Sequence, residues 1–379
     1  MKITPLNFND FGQAGSSWYH PSVTQLPDGR WLATMQQVLH ADAYGEAVCS
    51  FSDDCGKNWS TPAVIDALRY RPLTGSELME GVADIRTFTS PVDGISFTFG
   101  CSAFYTPKNT NVCWDCKEGV SKAPDEHSYY STMTPNGRWS ELKVLELPRL
   151  GANFRTACTQ IQFLDNGEVL IPIYFSDGSC DWCGMESPHF AVTVARYRQK
   201  GDKLIYQNDS GTLSIEAGRG AIEPSIVRLA DGSFALTIRA EDSCAYCSTS
   251  PDGTVFGPLL PWHWDDGTNI ITSTTQQHWI TLGDKTFLVF VMNDGSNSDI
   301  FRYRAPLYIA EADPAHAVLR RSTLENVFPR QRRHETEVYY GNFHCARLSE
   351  RQALITDSAL CNLHEQGLKA SVVAALVEE

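Results

Sequence analysis

The sequence lacks the features of a membrane protein, of a nucleic-acid-binding protein and of a helical fold. Nowhere in its 379 residues is there an apolar run near the ~18 residues that a membrane-spanning helix needs. There is no run of lysine and arginine, and the formal net charge of −14 disfavours nucleic acid and anionic lipid as partners. The residues after Lys2 form no apolar core of a secretory leader, so we expect a cytoplasmic protein and no membrane partner.

A helical period is not sustained anywhere, and short strands with period-2 alternation recur instead. The clearest unit, HPSVTQLPDGRWLATM from His20 to Met35, is predicted to form a strand, an Asp-Gly turn and a second strand. The segment EPSIVRLADGSFALTIR, from Glu223 to Arg239, repeats this pattern. The two units predict an all-β protein.

Weaker copies of this unit bring the total to six. They begin at Ala83, Ala157, Thr275 and Gly341, and the turns of neighbouring units lie about 50 to 70 residues apart, which suits a four-stranded blade with its loops. Repeated antiparallel sheets avoid long open edges when they close into a ring. The sequence therefore predicts a single domain over residues 1–379, a six-bladed β-propeller of four-stranded antiparallel blades.

Polar residues occupy the positions where the inner strands of this propeller would begin. In such a fold every inner strand starts beside the axis at one mouth. Counted back from the turns, these positions hold His20, Ile85, Cys158, Glu223, Thr275 and Gly341, with Asp84, Arg86, Gln276, Gln277 and Tyr340 adjacent. Because apolar residues are expected there, we predict that the polar ring is an active site.

Two arginine-bearing segments are predicted to reach the same mouth. Arg239 ends the second strand of the fourth unit, which returns to Glu223. The segment FRYRAPLYIA in the fifth unit is predicted to be a strand with Arg302 and Arg304 on one face, because side chains alternate along a strand. Since a planar guanidinium binds carboxylates through paired hydrogen bonds, we expect an acidic ligand.

Several segments resemble the sialidase (neuraminidase) superfamily. SDDCGKNW, from Ser52 to Trp59, fits the Asp box of the BNR repeat, S-x-D-x-G-x-x-W, and degenerate copies begin at Thr134 and Ser250. The Glu223 segment with its following arginine resembles the sialidase E-P-x-[IV]-V stretch, and Arg304-Ala305-Pro306-Leu307 resembles its R-x-x-L strand. The Asp boxes indicate the fold, because their side chains close turns and pack between sheets.

The resemblance implies a role for each matching residue. Asp42, in the loop before the first Asp box, corresponds to the general acid, and Tyr340 corresponds to the nucleophile that Glu223 polarises. Arg239 and Arg304 would bind the carboxylate of the substrate. The resemblance thus implies an exo-glycoside hydrolase that requires no cofactor and acts on a glycan with an acidic sugar.

The first unit departs from the family pattern. Sialidases begin this strand with Arg-Ile-Pro, the first arginine of their carboxylate-binding triad, whereas this chain has His20 before the proline. Either Arg86 or Arg155 compensates from a neighbouring blade, or the substrate is a different acidic sugar. Gln276, Gln277 and His278 would add amide and imidazole contacts to the sugar.

Two other functions remain open at this stage. A histidine at the mouth, arginines that neutralise a uronate and a tyrosine or histidine base are what β-elimination requires, so a polysaccharide or oligosaccharide lyase is the first alternative. A non-catalytic glycan-binding propeller would explain the lost arginine, but it would leave the clustering of the other charged residues unexplained. The oligomeric state is left open by the sequence.

Six of the 12 cysteines form three Cys-x-x-Cys pairs. They are Cys113 and Cys116, Cys180 and Cys183, and Cys244 and Cys247. Each pair follows the second strand of its unit, so the propeller would bring all three to the face that carries the proposed site. Two such pairs can complete a tetrahedral zinc site, and we expect a structural zinc, with free thiols or local disulfides as alternatives.

Overall fold

The structure, a computed structural model, describes residues 1–13, 16–40, 43–106, 124–176, 189–333, 336–361 and 369–379. Its main sheets are six blades of mostly four or five antiparallel strands, which confirms the predicted all-β, six-bladed propeller. A further pair of short strands, Arg332–Arg333 and Thr336–Glu337, lies outside the blades.

Blades 1 to 3 follow one another along the chain, and each begins with an inner strand beside the axis. Blade 1 contains Trp18–Gln25, Trp31–His40, Ala43–Ser52 and Ala63–Val64. Blade 2 contains Met79–Thr89, Ser96–Tyr105, Ser128–Met133 and Lys143–Val144, and Arg71–Pro72 pairs with its first strand. Blade 3 contains Phe154–Arg155 and Gln162–Phe163, which both pair with Glu168–Ser176, followed by Phe190–Lys200 and Lys203–Asp209.

Blades 4 to 6 complete the ring. Blade 4 contains Ile222–Arg228, Phe234–Arg239, Ala245–Ser250 and Leu260–Pro261. Blade 5 contains His278–Leu282, Lys285–Phe290 and Leu307–Asp313, with Val318–Leu319, Glu325–Phe328 and His263–Trp264 at its outer side. Blade 6 contains His344–Arg347, Gln352–Cys361, Lys369–Glu378 and, outermost, the N-terminal strand Lys2–Leu6.

The N-terminal strand closes the ring, a feature that the repeat pattern did not predict. Lys2–Leu6 is antiparallel to Lys369–Glu378, so the first and last strands of the described chain share one sheet. This pairing supplies the fourth strand that blade 6 would otherwise lack. The sheet of blade 6 therefore has four antiparallel strands, and the N-terminal strand covers the edge of Lys369–Glu378.

The hydrophobic core is divided among the spaces between blades. The cluster between blades 5 and 6 includes Phe287, Ile309, Phe343 and Ile355, and similar clusters fill the other spaces. Successive side chains of a strand point to opposite faces of its blade. Because both faces of a blade pack against neighbouring blades, each strand contributes to the clusters on both sides.

The segment predicted as the first Asp box forms a hydrogen-bonded turn after the third strand of blade 1. The Ser52 hydroxyl accepts from the Gly56 N–H at 2.8 Å, and the Asp54 carboxylate accepts from the Asn58 N–H at 2.8 Å. The Trp59 ring packs against Phe8 and Phe11. These contacts fix the blade and lie apart from the axis.

Helical structure in the described ranges is limited to short 3₁₀ turns, at Asn9–Gly12, Asp66–Leu68, Phe301–Tyr303 and Arg321–Thr323. None of these turns has the length or the apolar character that crossing a membrane would take.

Candidate active site at the mouth of the axial channel

Four blades share the same backbone distortion, within or just before the inner strand. His20, Asp84, Cys158 and Glu223 each adopt a left-handed conformation, with φ of 52°, 54°, 55° and 48°. In blades 1, 2 and 4 the pairing register shifts at this point, as it does at a β-bulge. Left-handed residues other than glycine are strained by roughly 1–3 kcal/mol each, and such strain is concentrated at functional sites.

The bulge shows that one of the positions counted back from the turns was wrong. Asp84, rather than Ile85, is the equivalent of His20 and Glu223. The turn of blade 1 is closed by a hydrogen bond from Leu26 N–H to the Arg30 carbonyl, a span of four residues. In blade 2 the corresponding bond runs from Ser90 to Ile95, one residue more. Counting back from the turn therefore missed the bulge of blade 2 by one.

Arg86, His20 and Asp84 form a chain of contacts from the channel to its mouth. Arg86 Nη1 donates to His20 Nδ1 at 2.7 Å, and His20 Nε2 lies 2.8 Å from Asp84 Oδ1. Burial, together with the positive charge of Arg86, lowers the pKa of His20 to about 4, so the imidazole is neutral at neutral pH. A guanidinium can only donate, so the single imidazole proton lies on Nε2, the nitrogen that is 2.8 Å from Asp84 Oδ1.

Two opposing effects act on the pKa of the Asp84 carboxylate. Its burial raises its pKa, but the His20 imidazole and the Arg86 and Arg155 guanidiniums outweigh that effect and hold the pKa below its ordinary value. The His20 side chain is 1% exposed, whereas that of Asp84 is 26% exposed. Asp84 is thus an ionised group at the solvent end of a buried chain.

His20, Asp84 and Cys158 are also the group whose spacing resembles a metal site, since their ligand atoms lie within 4.8 Å of one another. Their surroundings do not fit a metal ion. The proton on His20 Nε2 occupies the lone pair that would coordinate the metal, and Arg86 places a positive charge 3.7 Å from Cys158 Sγ. Burial raises the pKa of the Cys158 thiol well above its ordinary value, so it is not a thiolate ligand.

Glu223 and Arg239 form an ion pair at the bulge of blade 4. Arg239 Nη1 donates to Glu223 Oε1 at 2.5 Å, and its Nε donates to the Thr274 hydroxyl at 2.8 Å. The side chains are 15% and 7% exposed, respectively. The structure therefore brings these two predicted site residues together.

Arg302 and Arg304 lie beside this pair and carry unneutralised charge. Burial and the positive charges of Arg304, Arg239 and Arg219 lower the pKa of Arg302 to about 10. Arg304 is buried, and its Nε donates to the Thr275 hydroxyl at 3.1 Å. Within the described part of the chain, neither Arg302 nor Arg304 forms an ion pair with a carboxylate.

The strand predicted for FRYRAPLYIA begins later than expected. Phe301–Tyr303 is a 3₁₀ turn, with Arg302 at a φ of 53°, and the strand starts at Leu307. Period-2 alternation therefore does not relate Arg302 and Arg304. The two guanidiniums are nevertheless close enough for the positive charge of Arg304 to lower the pKa of Arg302.

Blade 6 contributes a buried carboxylate that counting back from the turns did not identify. Asp357 accepts hydrogen bonds from the N–H groups of Gly341 at 2.8 Å, Ser358 at 2.6 Å and Asn342 at 3.2 Å. Burial raises its pKa to about 7 although these bonds act in the opposite direction. The Asn342 amide donates to the hydroxyl of Tyr19, so Asp357 supports the blade 6 segment that lies against blade 1.

Tyr340 lies in the core between blades 5 and 6 rather than in the mouth. It is fully buried, its hydroxyl donates to the Pro329 carbonyl at 3.1 Å, and its ring packs on Phe328. Burial raises its pKa well above the ordinary value, which disfavours a phenolate. This placement does not support a nucleophilic role, and it arises because Tyr340 precedes the Gly341 position by one residue.

The other side chains that were predicted to bind the substrate already form contacts within the protein. Gln276 binds Arg86 and the Phe343 carbonyl, Gln277 accepts from Thr237, and His278 Nδ1 lies 2.8 Å from the Ser225 hydroxyl. Arg155 is held by Glu126 through two hydrogen bonds. Arg86 is 1% exposed and bound inside the channel. None of these contacts replaces the missing arginine of blade 1.

Several assigned residues lie outside the described residues. These are Asp42 and the cysteines Cys113, Cys116, Cys180 and Cys183. Of the third pair, Cys244 is partly exposed, whereas Cys247 is fully buried in the cluster between blades 4 and 5. Burial raises the pKa of Cys247 well above the ordinary value, so this thiol does not fit a zinc ligand. Zinc binding by the other pairs stays a prediction.

Two contributors to the mouth had visible but weak sequence signals. Asp84 stands among the apolar residues Val82, Ala83 and Ile85, and Asp357 lies within the largely buried strand Gln352–Cys361. A charged residue inside a buried strand indicates either a bound partner or chemistry. That signal identifies the residue but gives neither its neighbours nor its protonation.

No protein-family model and no curated protein matches the sequence. Among solved structures, a protein of unknown function from Dyadobacter fermentans is 15% identical with a TM-score of 0.64, over 100% of this chain and 98% of that chain. The NanB sialidase from Streptococcus pneumoniae is 14% identical with a TM-score of 0.64, over 97% of this chain and 70% of that chain.

A leech intramolecular trans-sialidase, bound to 2,7-anhydro-Neu5Ac, is 13% identical with a TM-score of 0.61, over 98% of this chain and 70% of that chain. Nearly the whole chain is covered in each of these comparisons. The chain therefore has the six-bladed propeller fold of the sialidases.

Proposed function

We propose that this protein is a glycoside hydrolase that acts on a glycan carrying a sugar with a carboxylate. The surplus of positive charge at the mouth carries the proposal. Arg239, Arg302 and Arg304 act on one another electrostatically, and the nearby carboxylate of Glu223 is already bound to Arg239. A substrate carboxylate would supply the missing negative charge and would accept paired hydrogen bonds from a guanidinium.

The two unneutralised arginines suit different tasks in such a site. Arg304 is buried and anchored by Thr275, so it would bind the carboxylate with little loss of side-chain entropy. Arg302 is exposed beside it and would complete the clamp from the solvent side. Arg302 thus takes the place of the blade 1 arginine that sialidases have and this chain lacks.

Hydrolysis would need a proton donor for the leaving oxygen and an attacking group on the opposite face of the sugar. We assign the donor to Asp42, as the family resemblance implies. Glu223 would act from its ion pair with Arg239, as a fixed negative charge near the developing positive charge on the sugar ring. The proposed reaction does not use Tyr340 and requires no cofactor.

The proposal is tested by measuring release of a fluorogenic aglycone from an α-sialoside and from uronides, with the full chain. We expect turnover of at least one acidic glycoside. Arg304→Gln should raise the KM for it by roughly 10- to 100-fold, because a hydrogen bond to a charged group contributes about 1.5–3 kcal/mol. Arg69→Gln is the matched control, since Arg69 is exposed and forms an ion pair with Asp66 at the surface.

Two results would overturn the proposal. Turnover of neutral glycosides without turnover of any acidic one would remove the role of the arginines. Binding of acidic sugars without any turnover would assign the chain to the non-catalytic glycan-binding propellers.

A lyase is the second candidate, and the ionised Asp84 beside the arginines favours it. β-Elimination needs a base near the carbon next to a neutralised carboxylate, and this mouth holds both kinds of group. Elimination leaves a conjugated double bond in the product. Ultraviolet absorbance of the products from uronate oligosaccharides therefore distinguishes the two reactions.

A further inference from the structure

The carboxylates of Glu223 and Asp84, which both lie at the mouth, have different binding partners. Glu223 is bound by a charged guanidinium, and its side chain is 15% exposed. Asp84 faces the neutral imidazole of His20 and is 26% exposed. Glu223 is therefore committed to its ion pair with Arg239, whereas Asp84 is an ionised, more exposed carboxylate that has no direct ion pair with an arginine among the described residues, so a water molecule can reach it.

Contacts with His20, which Arg86 holds in turn, fix the orientation of the Asp84 side chain. Arg86 donates to Nδ1 of His20, and this contact leaves the imidazole proton on the side of Asp84. Arg86 is in turn held by Gln276 Oε1 at 3.3 Å, deep in the channel. One oxygen of the carboxylate is thereby placed against His20, and the partly exposed group faces the mouth.

The backbone at Asp84 also indicates a retained function. Its φ of 54° is a conformation that glycine would adopt without strain and that aspartate tolerates less well. The added Cβ and carboxylate are kept at a strained position of the inner strand. Strain of this kind is expected where a side chain must be aimed at a ligand.

We propose that Asp84 is the general base that activates water in the proposed hydrolysis, and that His20 and Arg86 are positioning residues for its carboxylate. This inference rests on the proposed function. Asp84 takes a proton from water as the water oxygen bonds to the anomeric carbon. The glycosidic C–O bond breaks, its electron pair leaves with the aglycone oxygen, and that oxygen takes a proton from the general acid.

A water molecule between Asp84 and the sugar fits the charge of the substrate. Direct attack by the carboxylate would bring it against the carboxylate of the sugar, and two like charges repel each other strongly in a dry site. An intervening water keeps the two anions apart. Displacement by water in one step inverts the anomeric configuration.

The first test compares Asp84→Asn and Asp84→Gly with the wild-type chain. We expect kcat on the best acidic glycoside to fall about a thousandfold in both, with KM changed less than threefold, because a general base acts in the transition state. Asp84→Gly should unfold at a higher temperature than the wild type, since it relieves the left-handed strain. A purely structural role predicts the opposite, a less stable chain.

Cys55→Gly is the matched control for strain relief. Cys55 has a φ of 58° and is exposed in the turn of the first Asp box, away from the axis. We expect this variant to unfold at a higher temperature with unchanged kcat. The control separates the effect of a glycine on the backbone from the loss of the carboxylate.

The second test concerns the positioning residue. His20→Phe removes the N–H that faces Asp84, so the acidic limb of the pH profile of kcat/KM should move to higher pH. Other groups also act on this carboxylate and stay in place in the variant, namely Arg86, Arg155, Cys158, Cys101 and Tyr105. An unmoved limb would overturn the role of His20.

The configuration of the first product, followed by NMR, completes the test. An inverted anomer and an inactive Asp84→Asn variant would support the proposal. A retained anomer, or an Asp84→Asn variant with wild-type kcat, would overturn the base assignment and leave the hydrolase proposal intact. A wild-type chain that turns over no acidic glycoside would overturn both, so the two failures are distinguishable.

Discussion

Blades 1 and 4 begin with similar sequences and the same backbone conformation, yet the residues that they place at the mouth differ in charge. His20-Pro21-Ser22 and Glu223-Pro224-Ser225 both form a left-handed bulge at the start of the inner strand. In blade 4 the bulge residue is a carboxylate bound to a charged arginine. In blade 1 it is a neutral histidine that links a buried arginine to a neighbouring carboxylate.

The difference shows how a repeat can build one site from non-identical parts. The repeated strand and turn place each bulge at the axis, and the single residue at the bulge then decides the charge. Because the bulges converge, a change in one blade alters the surroundings of the next. The loss of an arginine at blade 1 is accompanied by an uncharged imidazole there and by unpaired arginines on blade 5.

The comparison predicts its largest effect at the ion pair of blade 4. Glu223→Gln removes the partner of Arg239 and leaves a buried guanidinium without its counter-charge. We expect the free energy of unfolding, measured by urea denaturation, to fall by about 3 kcal/mol. Asp66→Asn, which breaks an exposed pair, should change it by less than about 0.5 kcal/mol. Equal effects would show that the blade 4 pair is not buried in solution.

A smaller effect is expected at blade 1. His20→Phe removes the acceptor for Arg86 Nη1, so the free energy of unfolding should fall by about 2 kcal/mol. The pKa of His20 is about 4 in the folded chain, against 6.5 for an exposed histidine. The unfolded chain therefore binds the proton first, and His20 makes the wild type lose stability as the pH falls from 6.5 through about 4.

The contribution of His20 to this pH dependence should disappear in the His20→Phe variant, while the buried His278 and His344, whose pKa values burial also lowers, keep theirs. Denaturation at a series of pH values checks this, and His316→Phe is the control because His316 is well exposed. A His20→Phe variant that keeps the full wild-type slope over this range would show that His20 is not buried as a neutral group.

At about pH 4 the smallest expected effect lies in blade 6, and its pH dependence has the opposite sign. Burial raises the pKa of Asp357 to about 7, from 3.8 for an exposed aspartate, so stability falls as the pH rises from about 3.8 to about 7. In Asp357→Asn this fall should be absent. At about pH 4 the variant should be about 1 kcal/mol less stable, because one backbone N–H loses its acceptor. Parallel stability curves for the variant and the wild type would contradict the raised pKa.

Much of the fold could be predicted from turn chemistry. Asp-Gly turns between alternating strands occur at Gly29 and Gly232, and their weaker copies were recognised from the same pattern. The outer strand of blade 6 could not be found in this way, because it comes from the other end of the chain. A pairing between distant segments leaves no local signal in either of them.

The candidate site was predicted in part. Glu223 and Arg239 were expected to meet, since a hairpin of fixed length joins them, and they do. Tyr340 was expected at the mouth and lies in the core, because one residue of offset along a strand turns a side chain to the opposite face. Asp84 was placed beside the ring and given no role, since the longer turn of blade 2 displaced the count by one residue.

The sequence by itself determined the architecture, the acidic balance and the presence of arginines near a glutamate. These properties depend on short-range patterns, which turn residues and strand alternation express directly. Only the tertiary structure decided which of the polar residues are open to a ligand and which are satisfied inside the channel. Protonation, burial and counter-charge depend on neighbours from other blades, as the neutral His20 between Arg86 and Asp84 shows.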